Sequence, residues 1–392
     1  MTSNTGTSVS RVVVIGGGYA GVMAANRLRL DPSVDVTLIN PRPDFVERIR
    51  LHQLVTGSDD AVVDFATVLH PDVRLVVDTA ERIDAADRSV ALASGGTVSY
   101  DHLIYAVGSN AGPSTVPGVG EFAYSVTEFE DAQRLRRAVD ARPCDAPITV
   151  VGAGPTGLEM AAELAEQGRT VTLVGDAIGP YLSEPGWRAV AKRFRRLGVR
   201  TVEARVAEVR ADAVLLADGR RLDSAVTVWT AGFAVPDLAA RSGLSTDAIG
   251  RLRTDETLTS VDDDRIVAAG DAAAPSGQPL RMSCQAAGPL GAQAADTVLS
   301  RIAGDRLAPL DQAFAGQCIS LGRDAGIIQL ARRDDTAIPV FLSGRAAAWV
   351  KERVCRGTIW ALAREARKPG SYLWLKGGRR PAQPALDEMA VS

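Results

Sequence analysis

The sequence predicts an α/β protein built from two β-α-β units, with the second unit lying inside the first. Three observations carry this. The first is Arg11 to Asn40, RVVVIGGGYAGVMAANRLRLDPSVDVTLIN, where a β-branched run breaks into a glycine turn, an Ala-rich helix and a second apolar strand. The second is a repeat of the pattern at Ile148 to Gly175, ITVVGAGPTGLEMAAELAEQGRTVTLVG. The third is a set of apolar strands ending in small residues: Asp101 to Gly108, Val228 to Gly232, and Arg265 to Asp271, which delivers Gly270-Asp271 at its carboxyl end. Ligands of open α/β sheets bind at that end.

Each glycine turn reads G-x-G-x-x-G. In the first copy Gly16 permits the tight turn, Gly18 lets backbone N–H groups approach a pyrophosphate, and Gly21 lets the helix sit close to the strand. Tyr19 and Ala20 complete that turn. In the second copy Gly152, Gly154 and Gly157 take the same roles, with Pro155 and Thr156 opening the helix. Two Rossmann-like dinucleotide folds in one chain suggest two dinucleotides, most economically a flavin and a nicotinamide that meet.

Residues 1–10 read as a loose polar tail. The first unit closes on Asn40, where an acidic residue normally binds the adenosine ribose. An asparagine offers one acceptor and one donor without charge; Asn40-Pro41 is also a turn starter. Residues 73 to 106 alternate strand signals around a Gly95-Gly96 turn, and Gly112 to Gly120 punctuate a crossover. Glu128 to Asp140 reads as a helix. After the second unit, Gly175 stands at the acid position with Asp176 beside it. Glycine there removes a repulsion against a 2′-phosphate, and Arg188, Lys192 and Arg193 could supply positive charge. Asp176 could equally serve NADH, so NADH and NADPH both stay open. Residues 199 to 232 repeat the short strands around Asp218-Gly219, consistent with an internal duplication. The expected division is residues 11–112 and 247–310 for a discontinuous flavin domain, 113–246 for an inserted nicotinamide domain, and 311–392 for a C-terminal interface or membrane-surface region.

Composition sets limits. A net charge of −3 over 392 residues gives no global basic field for nucleic acid. No apolar run is long enough to span a bilayer, and the N-terminal residues do not read as a signal peptide. Cys144, Cys284, Cys318 and Cys355 are scattered without C-x-x-C or metal-ligand spacing, which fits a reduced, cytoplasmic setting and no metal site. Against this stands one basic stretch. Arg345 to Arg380 holds ten basic and two acidic residues, a local +8, on a helical pattern with Trp349 and Trp360. Such a helix reads as membrane-surface contact, packing on its own domain, or a homodimer contact. Gly357 is expected to interrupt it.

Taken in order, these motifs resemble the pyridine-nucleotide-dependent FAD oxidoreductases over roughly residues 11 to 305. The resemblance implies that Asp271 holds the ribityl chain, that Gly108, Gly270 and Gly232 border the cofactors, and that Arg48 runs past the flavin. Arg50 and His52 lie in the same stretch, where a solvated helix face is an equally good reading. It also implies that Glu159 points toward the nicotinamide–flavin junction; Thr156-x-x-Glu159 also reads as a capping box. A helix beginning near Ser283 would aim N–H groups at the flavin. Within that group the chain looks like type II NADH:quinone oxidoreductases, whose equivalent helix carries an Ala-Gln pair and a second Gln one turn later. Gln285 matches the first. Pro289 stands at the second, and Gln293 lies a turn too far.

The resulting expectation is an FAD-dependent NAD(P)H oxidoreductase passing electrons to a quinone or other small-molecule acceptor, with Glu159 and Gln285 at the reacting centre. Alternatives are a soluble reductase for a metabolite or redox-protein partner, a low-turnover flavin sensor, and a flavin monooxygenase, whose usual second fingerprint is not visible between residues 108 and 150. The disulfide-reductase subtype is excluded, because residues 16 to 60 contain no Cys.

Overall fold

The computed structural model describes residues 9–378. Most of the N-terminal tail, residues 1–8, and the end of the C-terminal region, 379–392, lie outside the described residues.

The apolar run Ser10–Ile15 forms the middle of a five-stranded parallel sheet in the order Ile266–Ala268, His102–Tyr105, Ser10–Ile15, Val34–Asn40, Arg74–Val77. Its side chains Val12 to Ile15 are all buried, as a strand covered on both faces requires. The second sheet repeats the arrangement: Ala123–Ser125, Val226–Trp229, Pro147–Val151, Thr170–Gly175, Arg200–Glu203. Each sheet has its own antiparallel three-stranded appendage, Ala80–Asp84 with Ser89–Leu92 and Thr97–Ser99 in one, Val206–Val209 with Ala213–Leu216 and Arg221–Asp223 in the other. The turns at Gly95-Gly96 and Asp218-Gly219 are the hairpin turns read from the sequence.

One difference in chain order nests the second sheet in the first. The outer strand of the first sheet, Ile266–Ala268, arrives only after the whole second sheet has been made. The two passages between sheets lie side by side, Asn110–Ala111 pairing antiparallel with Phe233–Ala234.

Both glycine turns are forced by geometry. Gly16 and Gly152 have φ of +103° and +105°, where L side chains are strained. A Cβ on Gly21 would fall 1.8 Å from the Gly16 carbonyl oxygen, and one on Gly157 would fall 1.7 Å from that of Gly152. The fingerprint helices Tyr19–Leu28 and Pro155–Glu166 can dock only with glycine at these positions.

A third, antiparallel sheet follows, Gly316–Ser320, Gly326–Ala331 and Ala337–Gly344. Its Gln329 accepts from Ser183 N at 3.0 Å, fixing it to the second unit at the start of helix Glu184–Leu197. The C-terminal helix Arg345–Arg367 then runs back over the first unit, unbroken at Gly357; flanking turns and a packed face outweigh the propensity cost of one glycine, about 1 kcal/mol. Ala347, Cys355, Leu362 and Ala366 form its buried stripe at helical spacing. Asn26 Nδ2 donates to Leu362 O at 3.2 Å, and Arg50 Nη2 meets Glu352 at 3.0 Å. Residues beyond the helix fold over as a strap. Gly370 N and Tyr372 N each donate to Glu365 at 2.7 Å, Trp374 Nε1 donates to Asp311 O at 2.9 Å, and Ala313 N donates to Leu375 O at 2.9 Å.

Candidate functional site: two nucleotide cradles and a charged junction

The carboxyl edge of the first sheet gathers the predicted flavin residues. Gly18 caps helix Tyr19–Leu28 without a side-chain hydrogen bond, and nothing lies within 4 Å of where its Cβ would be. The helix therefore presents free N–H groups and its positive end to open space. Asp271, in the short turn Gly270–Ala272 after strand Ile266–Ala268, accepts from Ser109 Oγ at 2.8 Å. Arg48 Nε donates to Thr127 O at 3.1 Å, and its Nη1 lies 3.3 Å from the position of a Cβ on Gly108. The Tyr19 ring meets Phe45 edge-on at 5.1 Å, while Ala20 backs against Gly291, where a Cβ would fall 2.2 Å from the Ala20 carbonyl oxygen.

Asn40 acts as the turn starter read from the sequence and also reaches back to the glycine turn. Its Oδ1 accepts from Gly17 N at 2.9 Å and its Nδ2 donates to Arg42 O at 2.8 Å, so the amide braces the glycine turn itself.

The second cradle has the same design. Gly154 caps helix Pro155–Glu166 without a side-chain bond, and a Cβ there would meet nothing within 4 Å. Thr230 Oγ1, which sequence reasoning missed, donates toward the carbonyl oxygens of Val151 and Gly152 at 3.0 and 2.9 Å. Gly232 has φ +79° just after strand Val226–Trp229. Asp176 sits exposed at the end of strand Thr170–Gly175, paired with Arg205 at 3.0 Å. Two of the three cations proposed for a 2′-phosphate have partners of their own. Arg188 pairs with Glu184, and Arg193 binds Glu166 and Leu321 O at the opposite end of the fingerprint helix.

Between the cradles lies a buried charged junction. Glu159 Oε1 accepts from Ser320 N at 3.0 Å and pairs with Lys351 Nζ at 2.9 Å; Lys351 also donates to Cys318 O at 3.1 Å. The capping box is thereby corrected. The helix starts one residue before Thr156, with Gly154 as cap, and the Glu159 carboxylate turns to the C-terminal elements instead. Burial alone would raise the Glu159 carboxyl, but Lys351 and the Ser320 N–H outweigh it and hold it below the usual range. Burial likewise opposes charge on Lys351, yet Glu159 holds its ammonium above the ordinary lysine value. His52 is buried, not on a solvated face, and burial pushes it down to about 4. Neutral, it stands 3.7 Å from Glu159 and 3.9 Å from Glu163 with its Nε2 unpartnered. Glu163 is matched by Arg323 Nε at 2.9 Å. Arg50 is also buried, held by Glu47, Gln53 and Glu352.

The helix Cys284–Ala303 starts with Ser283 as its cap, Oγ accepting from Ala286 N, at the edge shared with Asp271. The Gln285 side chain is turned to the third sheet. Oriented to satisfy both its groups, the amide accepts from Ala315 N and donates to Gly316 O, each at 2.9 Å. Lys351 was overlooked as a site residue, although it falls in line with the apolar positions 347, 355, 362 and 366, where a lysine needs an internal partner.

Two uncapped glycine cradles on nested parallel sheets, meeting at a charged junction, define a flavoprotein reductase fed by a nicotinamide cofactor. The chain belongs to the pyridine nucleotide-disulphide oxidoreductase family, whose model matches residues 10–291. It is 32% identical over 324 residues to an NADH dehydrogenase-like protein of Mycobacterium tuberculosis, covering 74% of this chain and 80% of that one. It is 28% identical over 316 residues to a type II NADH:quinone oxidoreductase of the same organism, covering 69% and 68%. Among solved structures, the sulfide:quinone oxidoreductase of Aquifex aeolicus superposes with a TM-score of 0.77 at 21% identity, over 92% of this chain and 93% of that one; this likeness concerns the fold.

The protein is an oxidoreductase that binds FAD and NADH or NADPH. Bound together, the two cofactors supply hydride transfer from nicotinamide to flavin. What the chain itself offers there is geometry: uncapped helix starts at Gly18 and Gly154, the Asp271 carboxylate held by Ser109, and the Glu159–Lys351 pair.

Proposed function

We propose that this oxidoreductase passes its electrons to a quinone held at a lipid surface. The observation that carries the reading is the helix Arg345–Arg367, which has two working sides. One side sends Lys351 to Glu159 at the junction. The other leaves Trp349 and Trp360 62% and 56% exposed, with Arg353 and Arg364 stacked on them at 5.1 and 5.2 Å. Eleven residues apart, the two indoles share a face, and Val340 and Leu342 of the preceding strand are exposed nearby in sequence. Aromatic rings flanked by arginines suit the headgroup boundary of an anionic membrane. No helix among the described residues is long and apolar enough to cross a bilayer. The name of the Mycobacterium tuberculosis quinone reductase supports the same acceptor.

Pro289, standing where those enzymes carry a second glutamine, favours a competing reading in which the acceptor is a metabolite or a redox protein. Vesicle flotation separates the two. The wild type should float with vesicles containing phosphatidylglycerol, and W349A/W360A should not, with quinone turnover falling in step. If both proteins stay at the bottom, or if the double variant only converts a dimer to a monomer, the lipid-surface reading fails.

A further inference from the structure

Pro289 sits inside helix Cys284–Ala303, where it cannot donate to the carbonyl four residues earlier. That carbonyl belongs to Gln285, and it is taken instead by Gln312 Nε2 at 3.2 Å. The chain therefore compensates for Pro289 with a residue of its own. The neighbouring Gly288 is compensated for as well. A Cβ at Gly288 would fall 2.7 Å from the Tyr372 hydroxyl, so the strap after the C-terminal helix places a phenol where the flavin helix lacks a side chain. The ring is fixed by stacking on Trp374 at 6.1 Å, and its backbone N–H is tied to the fully buried Glu365. Among the described residues no hydrogen bond engages the Tyr372 hydroxyl. It is a donor without a protein partner, packed against Gly288 in the second turn of the helix that begins at Cys284.

We propose that Tyr372 contacts the electron acceptor, donating a hydrogen bond to a quinone-type carbonyl oxygen from the turn where Pro289 has removed any side-chain donor. The inference rests on the quinone reading above and names the group that orients the substrate. Tyr372 supplies neither electrons nor a net proton; the two electrons come from the reduced cofactor and the balancing proton from solvent. Burial, with Cys284 and Glu365 adding to it, pushes the phenol up to about 12, so it stays a donor over the working pH range. Loss of one hydrogen bond to a partly desolvated carbonyl slows such a step by up to about tenfold.

The test uses the holoenzyme, reduced anaerobically with NADH or NADPH and then mixed with a water-soluble quinone or with ferricyanide, an outer-sphere oxidant that needs no carbonyl contact. In Y372F the ring and its stacking remain. Quinone reoxidation should slow about tenfold, while flavin reduction and ferricyanide reoxidation keep wild-type rates. G288A, which displaces the hydroxyl without altering the tyrosine, should give the same split. Wild-type quinone rates in both variants would overturn the proposal, as would parallel loss of all three rates. A wild type that ferricyanide reoxidises quickly but quinone does not would overturn the quinone reading itself, and this proposal with it.

Discussion

The two β-α-β units share strand order, glycine turn and helix docking, yet they close differently. In the first, Asn40 is nearly buried and both ends of its amide are committed to the turn. The C-terminal helix then covers the fingerprint helix, with Asn26 bonded to Leu362 and Arg27 3.4 Å from the buried Glu365. In the second, the corresponding strand ends in Gly175 and an exposed Asp176–Arg205 pair whose side chains are 62% and 80% accessible. The strand-end rim of one cradle is buried and braced, and that of the other is left exposed. That is the distinction expected between a cofactor that stays and one that must leave after every turnover.

The largest effects should come from the buried glycines. G21A and G157A each force a Cβ to within 1.8 Å of a carbonyl oxygen, and overpacking of this kind costs about 1–3 kcal/mol. If the units differ in duty as described, G21A should purify with little flavin. G157A should keep its flavin and lose about a hundredfold in the rate of reduction by NAD(P)H. Equal flavin loss in both would erase the proposed division of labour.

Next comes the junction that joins them. K351M strips the partner from a buried carboxylate, which costs about 3–5 kcal/mol. A urea titration should find that destabilisation, and E159Q/K351M should recover much of it. Near-additive losses in the double variant would mean that the two groups are not one unit.

A smaller effect is pH dependence from His52. Its folded value, about 4, lies below the unfolded 6.5, so the unfolded chain binds more protons between them. Stability is then intact above pH 6.5 and declines as pH falls toward 4, by roughly 2 kcal/mol between pH 7 and 5. H52N should flatten that slope in melts recorded across the range; an unchanged slope would assign it to the carboxylates. The smallest effect belongs to the open edge. R205A should change KM for the nicotinamide cofactor by about threefold to tenfold with kcat and flavin content unchanged, and a changed flavin content would contradict the exposed-rim description.

The motifs that were legible in the sequence are those whose geometry is local. Gly16, Gly18 and Gly21 act within six residues, and a strand–turn–helix pattern around them leaves few alternatives. The junction was not legible because its partners are distant in the chain and meet only through the third sheet and the C-terminal helix. Glu159 was expected at the junction by resemblance and also read as a capping residue, because the sequence alone does not say which residue caps the helix. Lys351 was counted in a basic stretch, and only its alignment with a buried stripe betrays it. Tyr372 follows Pro369 and Gly370 in a segment without periodicity, so its contact with Gly288 had no sequence signal.

In the proposed cycle hydride enters at the cradle with the exposed rim and electrons leave to a quinone. Double-mixing anaerobic stopped flow on the wild-type holoenzyme tests it most directly, following flavin absorbance first against NADH or NADPH and then against a soluble quinone. The result expected is fast bleaching by at least one nicotinamide cofactor followed by fast recovery with quinone. Fast bleaching with recovery no quicker than in buffer alone would contradict it.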